Sequence, residues 1–188
     1  NTSISTTTAA AWASGGALNT ARSNGMGAGT QTAGLMAGGR KPAAANESEE
    51  YDGTSWTEGN NLNTGRRWHG GAGTQTAGLV MAGSTSPSAR TANVESYDGT
   101  DWTEGTNVNT ARGYHAGFGT QTAAIIAAGY PAEPASAVNI VEEWDGSSWT
   151  EIADINNTRA DMGGTGITTA GLIFGSRLGG YSGHTEEW

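Results

Sequence analysis

One string recurs through the chain, and it limits the possible folds more than any other feature. It reads Asp98-Gly99-Thr100-Asp101-Trp102-Thr103-Glu104-Gly105, then Asn109-Thr110-Ala111-Arg112, then Gly119-Thr120-Gln121-Thr122. One unit earlier it is Asp52-Gly53-Thr54-Ser55-Trp56-Thr57-Glu58-Gly59, Asn63-Thr64-Gly65-Arg66 and Gly73-Thr74-Gln75-Thr76. One unit later it is Asp145-Gly146-Ser147-Ser148-Trp149-Thr150-Glu151, Asn157-Thr158-Arg159 and Gly166-Ile167-Thr168-Thr169. A fourth copy is divided between the two ends. Trp12, Trp56, Trp102 and Trp149 mark the period, spaced by 44, 46 and 47 residues. The Thr of the Asn-Thr step falls at 20, 64, 110 and 158. A repeat of about 40–50 residues is one supersecondary unit that buries its apolar surface against its neighbours.

Each unit reads as four short strands. From Arg66, a first strand is expected over about Arg67 to Gly73, followed by the turn Thr74-Gln75-Thr76. Ala77 to Ala82 is a continuous apolar run of strand length, as burial on both faces requires. A polar loop over Ser84 to Ala92 leads to a third strand, about Asn93 to Tyr97. Asp98-Gly99 is a strong tight-turn signal, and a fourth strand starts near Trp102. No stretch carries a capped 3.6 period, so no helices are expected. Four strands per unit at this period predict an all-β fold, a four-bladed β-propeller of four-stranded blades.

These repeats resemble kelch repeats, in which a blade carries an Arg, a small-residue diglycine at the end of its second strand, a Tyr and then a Trp. Gly38-Gly39 keeps the diglycine; Ala82-Gly83, Ala128-Gly129 and Gly175-Ser176 approximate it. The Tyr position is Tyr51, Tyr97, Trp144 and Trp188, with Trp56, Trp102 and Trp149 five residues on. The resemblance covers residues 9–188. The particular wording also looks like the kelch-like repeats of predicted structural proteins in marine bacteriophages, which implies a place in a virion.

His184-Thr185-Glu186-Glu187-Trp188 matches the third strand and stops where the Trp strand should follow. Trp12 to Thr20 matches that missing strand. The N-terminal strand is therefore expected to complete the last blade and close the ring, since a free blade edge invites aggregation. The repeat units run over about 22–64, 66–110, 112–157, and 159–188 completed by 9–20. Residues 1–8 fit no repeat and read as a linker or extra strand. A rival arrangement makes the chain an arc of a larger ring. The start at Asn1 suits a processed product or a piece of a longer protein. Glycine supplies 31 of the 188 residues, and the excess is positional. Gly27, Gly71, Gly117 and Gly164, then Gly29, Gly73, Gly119 and Gly166, leave one face of each inner strand bare. Crowding at the axis or a series of bulges would each require this.

The net charge of -9 opposes binding to phosphate backbones and anionic membrane surfaces, so neither nucleic acid nor membrane is expected as a partner. No window has the roughly 18 apolar residues of a membrane-spanning helix. Without cysteine there are no disulfides and no thiolate metal sites.

Comparing the repeats with one another separates framework from variable positions. Arg22, Arg66, Arg112 and Arg159 recur, and are expected to bond carbonyls or a Glu of a neighbouring blade (Glu50, Glu95, Glu142, Glu186) rather than an anion. Asp52, Asp98 and Asp145 are explained as hairpin turns, and their spacing does not fit a calcium loop. Two regions vary. One follows each Arg and places Asn24, Trp68, Tyr114 and Asp161 around one mouth, with Arg67, His69 and His115 beside them. The other is the loop between second and third strands, which carries Arg40, Lys41, Arg90, Tyr130, Arg177 and Tyr181. Variable loops on a rigid ring are where binding sites sit. An aromatic face beside Asn and Asp suits a sugar; packing alone is the other reading of Trp68 and Tyr114. His69 and His115 share a position whose other two members are Gly25 and Met162, too few ligands for a metal. No metal and no cofactor are expected.

Nucleophile elbows, His-Glu-x-x-His and phosphate loops do not occur in the sequence. A copper oxidase on the kelch fold depends on a Tyr–Cys crosslink, which this chain cannot make. Glu142 and Glu143 lie on opposite faces of a strand and cannot pair as acid and base. The expected function is non-enzymatic recognition or attachment of a glycan or protein surface, in a virion or extracellular assembly. The alternatives are a structural spacer or decoration protein, and a glycan-cleaving enzyme.

Overall fold

Ala77–Met81 illustrates how this sequence builds its interior. Leu79 and Met81 belong to an apolar cluster with Ala124, Trp144 and Trp149, whereas Val80 between them belongs to a cluster with Met26, Leu35 and Trp102. Alternate side chains of one strand thus face the sheets on either side, so the strand is apolar throughout. Each such fully buried side chain contributes about 1.5–3 kcal/mol. The computed structural model describes residues 11–131, 136–177 and 180–188.

Four antiparallel sheets are arranged as a four-bladed β-propeller, with no helix among the described residues. The first holds β1 (Met26–Thr30), β2 (Ala33–Arg40), β3 (Ala44–Tyr51) and β4 (Trp56–Glu58). The second holds β5 (Gly70–Thr74), β6 (Ala77–Met81), β7 (Val94–Tyr97) and β8 (Trp102–Glu104). The third holds β9 (Ala116–Gly119), β10 (Ala124–Gly129), β11 (Val138–Trp144) and β12 (Trp149–Ile152). The fourth holds β13 (Gly163–Ile167), β14 (Ala170–Arg177) and β15 (Tyr181–Glu187). Strands follow sequence order in every sheet, and the inner strands β1, β5, β9 and β13 pack in succession.

The recurring residues hold this frame. Asp98 Oδ1 accepts the amides of Thr100 and Asp101, both at 2.8 Å, and so fixes the β7–β8 turn. Asp52 and Asp145 do the same in their blades. The diglycine position is a left-handed bulge at the top of each second strand: φ is 59° at Gly38, 51° at Ala82, 58° at Ala128 and 70° at Gly175. The framework arginines bond carboxylates that are buried in the first three blades and partly exposed in the fourth: Arg22 to Glu49, Arg66 to Glu95, Arg112 to Glu142 and Arg159 to Glu186. Each Glu also takes backbone amides from the incoming segment, as Glu142 does from Asn109 (2.6 Å) and Thr110 (3.2 Å). In the first blade the partner is Glu49, not the expected Glu50. It is the Glu two residues before the aromatic that points inward, and Glu50 instead accepts the Tyr97 hydroxyl at 2.6 Å. In the fourth the amide donor is Asn156 rather than Asn157.

The expected closing strand is not formed by the described N-terminal residues. Residues 11–22 contain no strand, and the fourth sheet has three strands. Residues 15–20 are instead tied to the first sheet, where Asn19 N donates to Glu49 Oε2 at 2.7 Å and Asn19 Nδ2 to the Trp56 carbonyl at 2.8 Å. In the other blades an aromatic pair spans the third and fourth strands: Tyr51–Trp56, Tyr97–Trp102 and Trp144–Trp149. The fourth pair is open, with Trp12 fully exposed and Trp188 half-exposed. A cavity of about 240 Å³ remains between the third and fourth sheets. Its lining by Ile125, Val141, Ile155 and Gly171 corresponds to Leu79, Val94, Val108 and Ala124, which surround Trp149 one interface earlier. It is an unfilled tryptophan slot. The first three blades are closed by a short covalent turn; pairing residues 12–20 with β15 would instead join distant parts of the sequence, at a larger entropic cost.

The two glycine series have different causes. A Cβ on Gly71 would lie 1.8 Å from Met26 Cγ, and one on Gly117 2.9 Å from Gly70 Cα, so the first series reflects crowding between adjacent blades. Gly27 meets nothing within 4 Å. Gly29, Gly73, Gly119 and Gly166 have φ between 93° and 119°, which places them at turns. Residues 1–8, expected as a linker or strand, lie outside the described residues.

Candidate functional site

Immediately after each framework arginine the chain leaves the expected strand path. Arg67 to His69, read from sequence as part of an inner strand, instead forms the rim of the mouth, and β5 starts only at Gly70. At the rim, Trp68 N donates to the Asn24 carbonyl (3.0 Å), Tyr114 N to that of Trp68 (2.8 Å) and Asp161 N to that of Tyr114 (2.9 Å). These bonds require a left-handed backbone in every blade, with φ of 57°, 52°, 61° and 54° at Asn24, Trp68, Tyr114 and Asp161. Asn and Asp tolerate that conformation because their short side chains hydrogen-bond locally, whereas a bulky aromatic there costs about 1–3 kcal/mol. Two blades use the tolerant residues; the other two place Trp and Tyr at the same position.

The two aromatics meet. The Trp68 and Tyr114 rings stack with centroids 4.4 Å apart and planes 19° from parallel. Tyr130 presents its edge to Tyr114 at 5.7 Å. The Arg67 guanidinium lies 4.0 Å from the Trp68 ring centre, and that of Arg90 lies 5.5 Å from Tyr114. Bridges from Ser23 to Arg40, Arg67 to Ser84 and Gly113 to Tyr130 put both variable regions at one end of the molecule. Asn24, Trp68, Tyr114 and Asp161 line a shallow depression of about 230 Å³ there, with His69, His115 and Met162 at its floor.

Below the aromatics, His69 and His115 are buried. Desolvation, helped by the nearby Arg66 and Arg112 cations, lowers each to about 3, so both are neutral at ordinary pH. His115 Nε2 accepts the Gly70 amide at 3.2 Å and its Nδ1 faces the Ala116 carbonyl at 3.2 Å. Neither ring nitrogen of His69 has a hydrogen-bond partner among the described residues. The described residues contain no group of three or more His, Cys, Asp or Glu side chains that could hold a metal ion. Burial raises Asp161 above the usual aspartate range, and Arg177 opposes this.

Of the residues singled out from sequence, Asn24, Arg67, Trp68, His69, Tyr114, His115, Tyr130 and Asp161 come together at the mouth. Tyr181 does not join them; it stands exposed at the start of β15, paired in register with Arg177. Arg40 and Arg90, carried by the variable loops between second and third strands, also belong with the cluster. Both act electrostatically on Arg67. Their signal was the charge pattern: four of the nine Lys and Arg residues are the framework arginines, and the other five all lie at this end.

No family model matches the chain, and no curated protein is significantly similar to it.

Proposed function

We propose that the protein is a non-enzymatic recognition or attachment module that binds a glycan or protein surface through this mouth. We further read its blades as kelch-type repeats, and its place as a virion or extracellular surface assembly. The observation that carries the binding reading is the pair Trp68 and Tyr114, held left-handed where the other two blades use Asn24 and Asp161. Strain kept at a surface position that the fold fills more easily with Asn points to a use for the aromatic side chains. An aromatic edge or face beside Asn and Asp is suited to the C–H face and hydroxyls of a sugar.

The test is a screen of glycans and host surfaces with the native chain beside a Trp68→Asn/Tyr114→Asn double variant. The replacements copy Asn24, so the backbone is preserved. Binding by the native chain that the variant loses supports the mouth; equal binding by both refutes it.

The outer edge of β15, which pairs with no further strand among the described residues and has Phe174 and Trp188 exposed beside it, favours a second reading as a structural spacer or decoration protein. That reading expects no soluble ligand and an extended contact with a larger protein along the blade flank.

A further inference from the structure

Among the buried arginines one differs from the rest. Arg22, Arg66, Arg112 and Arg159 each face a glutamate. Arg67 is 3% exposed, yet no side-chain hydrogen bond or ion pair reaches it among the described residues, and its Nε is unpartnered. An uncompensated buried charge is strongly unfavourable, and proteins normally pair it. Its surroundings add to the imbalance. Arg40 and Arg90 are close enough to repel it, and burial together with these cations disfavours its charge. The adjacent Ser84 is wholly buried and its Oγ also lacks a partner. Arg67 and Ser84 are joined by a reciprocal pair of backbone hydrogen bonds of 3.0 and 2.8 Å, which sets the two residues side by side in one patch. The patch adjoins the aromatic pair, since Arg67 lies over Trp68.

Arg67 has no counterpart: the equivalent positions are Ser23, Gly113 and Ala160. The repeat does not require it, and in a chain of net charge -9 it gathers positive charge at one place. A single ligand group would satisfy all these features. A carboxylate takes the two-pronged hydrogen bonding of a guanidinium, accepts from a serine hydroxyl and offsets the repulsion between Arg67 and Arg40. A sugar ring carrying that carboxylate would meet the aromatic edge beside it.

We propose that the mouth selects an acidic saccharide, a uronate- or sialate-type sugar, with Arg67 and Ser84 receiving its carboxylate beside Trp68 and Tyr114. This rests on the mouth reading above and narrows its ligand class.

The experiment uses a panel of uronate- and sialate-containing oligosaccharides, each beside its neutral counterpart, titrated calorimetrically against the full chain at low and high salt. Inorganic phosphate and sulfate serve as simple anions. Acidic members should bind about 10–100-fold tighter than the neutral ones, as expected for charge-assisted hydrogen bonds at a desolvated site, and the margin should shrink with salt. Arg67→Gln should remove that margin while its melting temperature stays equal or rises, because an unpaired buried charge has been deleted. Arg67→Lys should keep part of it. A purely structural Arg67 would instead lower the melting temperature when replaced and leave selectivity unchanged, which overturns the proposal. Equal binding of acidic and neutral saccharides, lost in Trp68→Asn/Tyr114→Asn, overturns the acidic class and leaves the mouth standing. Binding of phosphate or sulfate as tight as that of acidic saccharides overturns the sugar assignment. No binding by any member overturns both readings.

Discussion

The two buried histidines make stability depend on pH in a window where few other groups titrate. His69 and His115 are each lowered to about 3 in the folded protein, first by desolvation and then by nearby cations. In the unfolded chain each returns to about 6.5. The unfolded state therefore binds more protons between these values, and stability present above pH 6.5 is lost as the pH falls towards 3. At pH 5 the folded protein leaves both rings neutral, while the unfolded chain protonates them almost fully. Linkage gives a loss of about 2 kcal/mol per histidine relative to pH 7, about 4 kcal/mol for the pair. The figure is insensitive to the folded value so long as it stays below about 4. The lowered carboxylates Asp52, Asp98, Asp145 and Glu49 lose their own contribution only further down in pH, and Asp161, raised by burial, acts in the opposite sense in both the native chain and the histidine variant, so their difference between pH 6.5 and 5 reports the histidines. The assay is urea unfolding at pH 7, 6 and 5 for the native chain and for His69→Met/His115→Met, which copies the residue at Met162. The native midpoint should fall with pH and the variant's should stay nearly flat over this range. Parallel slopes for the two proteins would refute the burial of neutral imidazoles.

Glu142→Gln should destabilise the fold by about 3–5 kcal/mol, because Arg112, fully buried and bonded to Glu142 at 2.5 Å, is left uncompensated. Replacing Arg112 and Glu142 together with apolar residues should recover much of that loss in chemical denaturation. Gly71→Ala should cost about 1–3 kcal/mol, since its Cβ would sit 1.8 Å from Met26 Cγ, whereas Gly27→Ala, with open space around it, should change the melting temperature little.

The repeat made most of the architecture legible. The Trp and Asn-Thr periods gave four units, and the Asp-Gly turns, the apolar second strands and the absence of helices follow from local residue chemistry. Comparing the repeats also isolated the mouth, because Trp68 and Tyr114 stand out against Asn24 and Asp161 only when the blades are aligned. What escaped the sequence depended on direction or on distant partners. Glu49 and Glu50 are adjacent carboxylates, and only strand register decides which of them faces Arg22. Arg67 read as a strand residue because nothing local marks the left-handed turn at Trp68. The gathering of Arg40, Arg67 and Arg90 needed three loops from two blades to be placed at one end.

The unfilled tryptophan slot makes the interface between the third and fourth sheets weaker than the two that join the first, second and third sheets. Trp102 and Trp149 are buried in their blades, and losing such a side chain costs about 3–5 kcal/mol. The fourth sheet lacks that contribution, and its outer strand β15 is largely exposed. Regions with fewer buried apolar contacts open before the rest of a domain. Native-state hydrogen exchange should therefore show β14 and β15 opening with about 3–5 kcal/mol less free energy than β6 and β10. Deletion of residues 1–14 should leave this pattern and the melting temperature unchanged, because among the described residues the anchoring hydrogen bonds to the first sheet begin at Asn19. If deletion instead lowers stability by several kcal/mol and speeds exchange in β15, then Trp12 fills the slot in solution and the fourth blade has its fourth strand after all. Uniform protection across all four sheets, retained after deletion, would refute the unequal interfaces themselves.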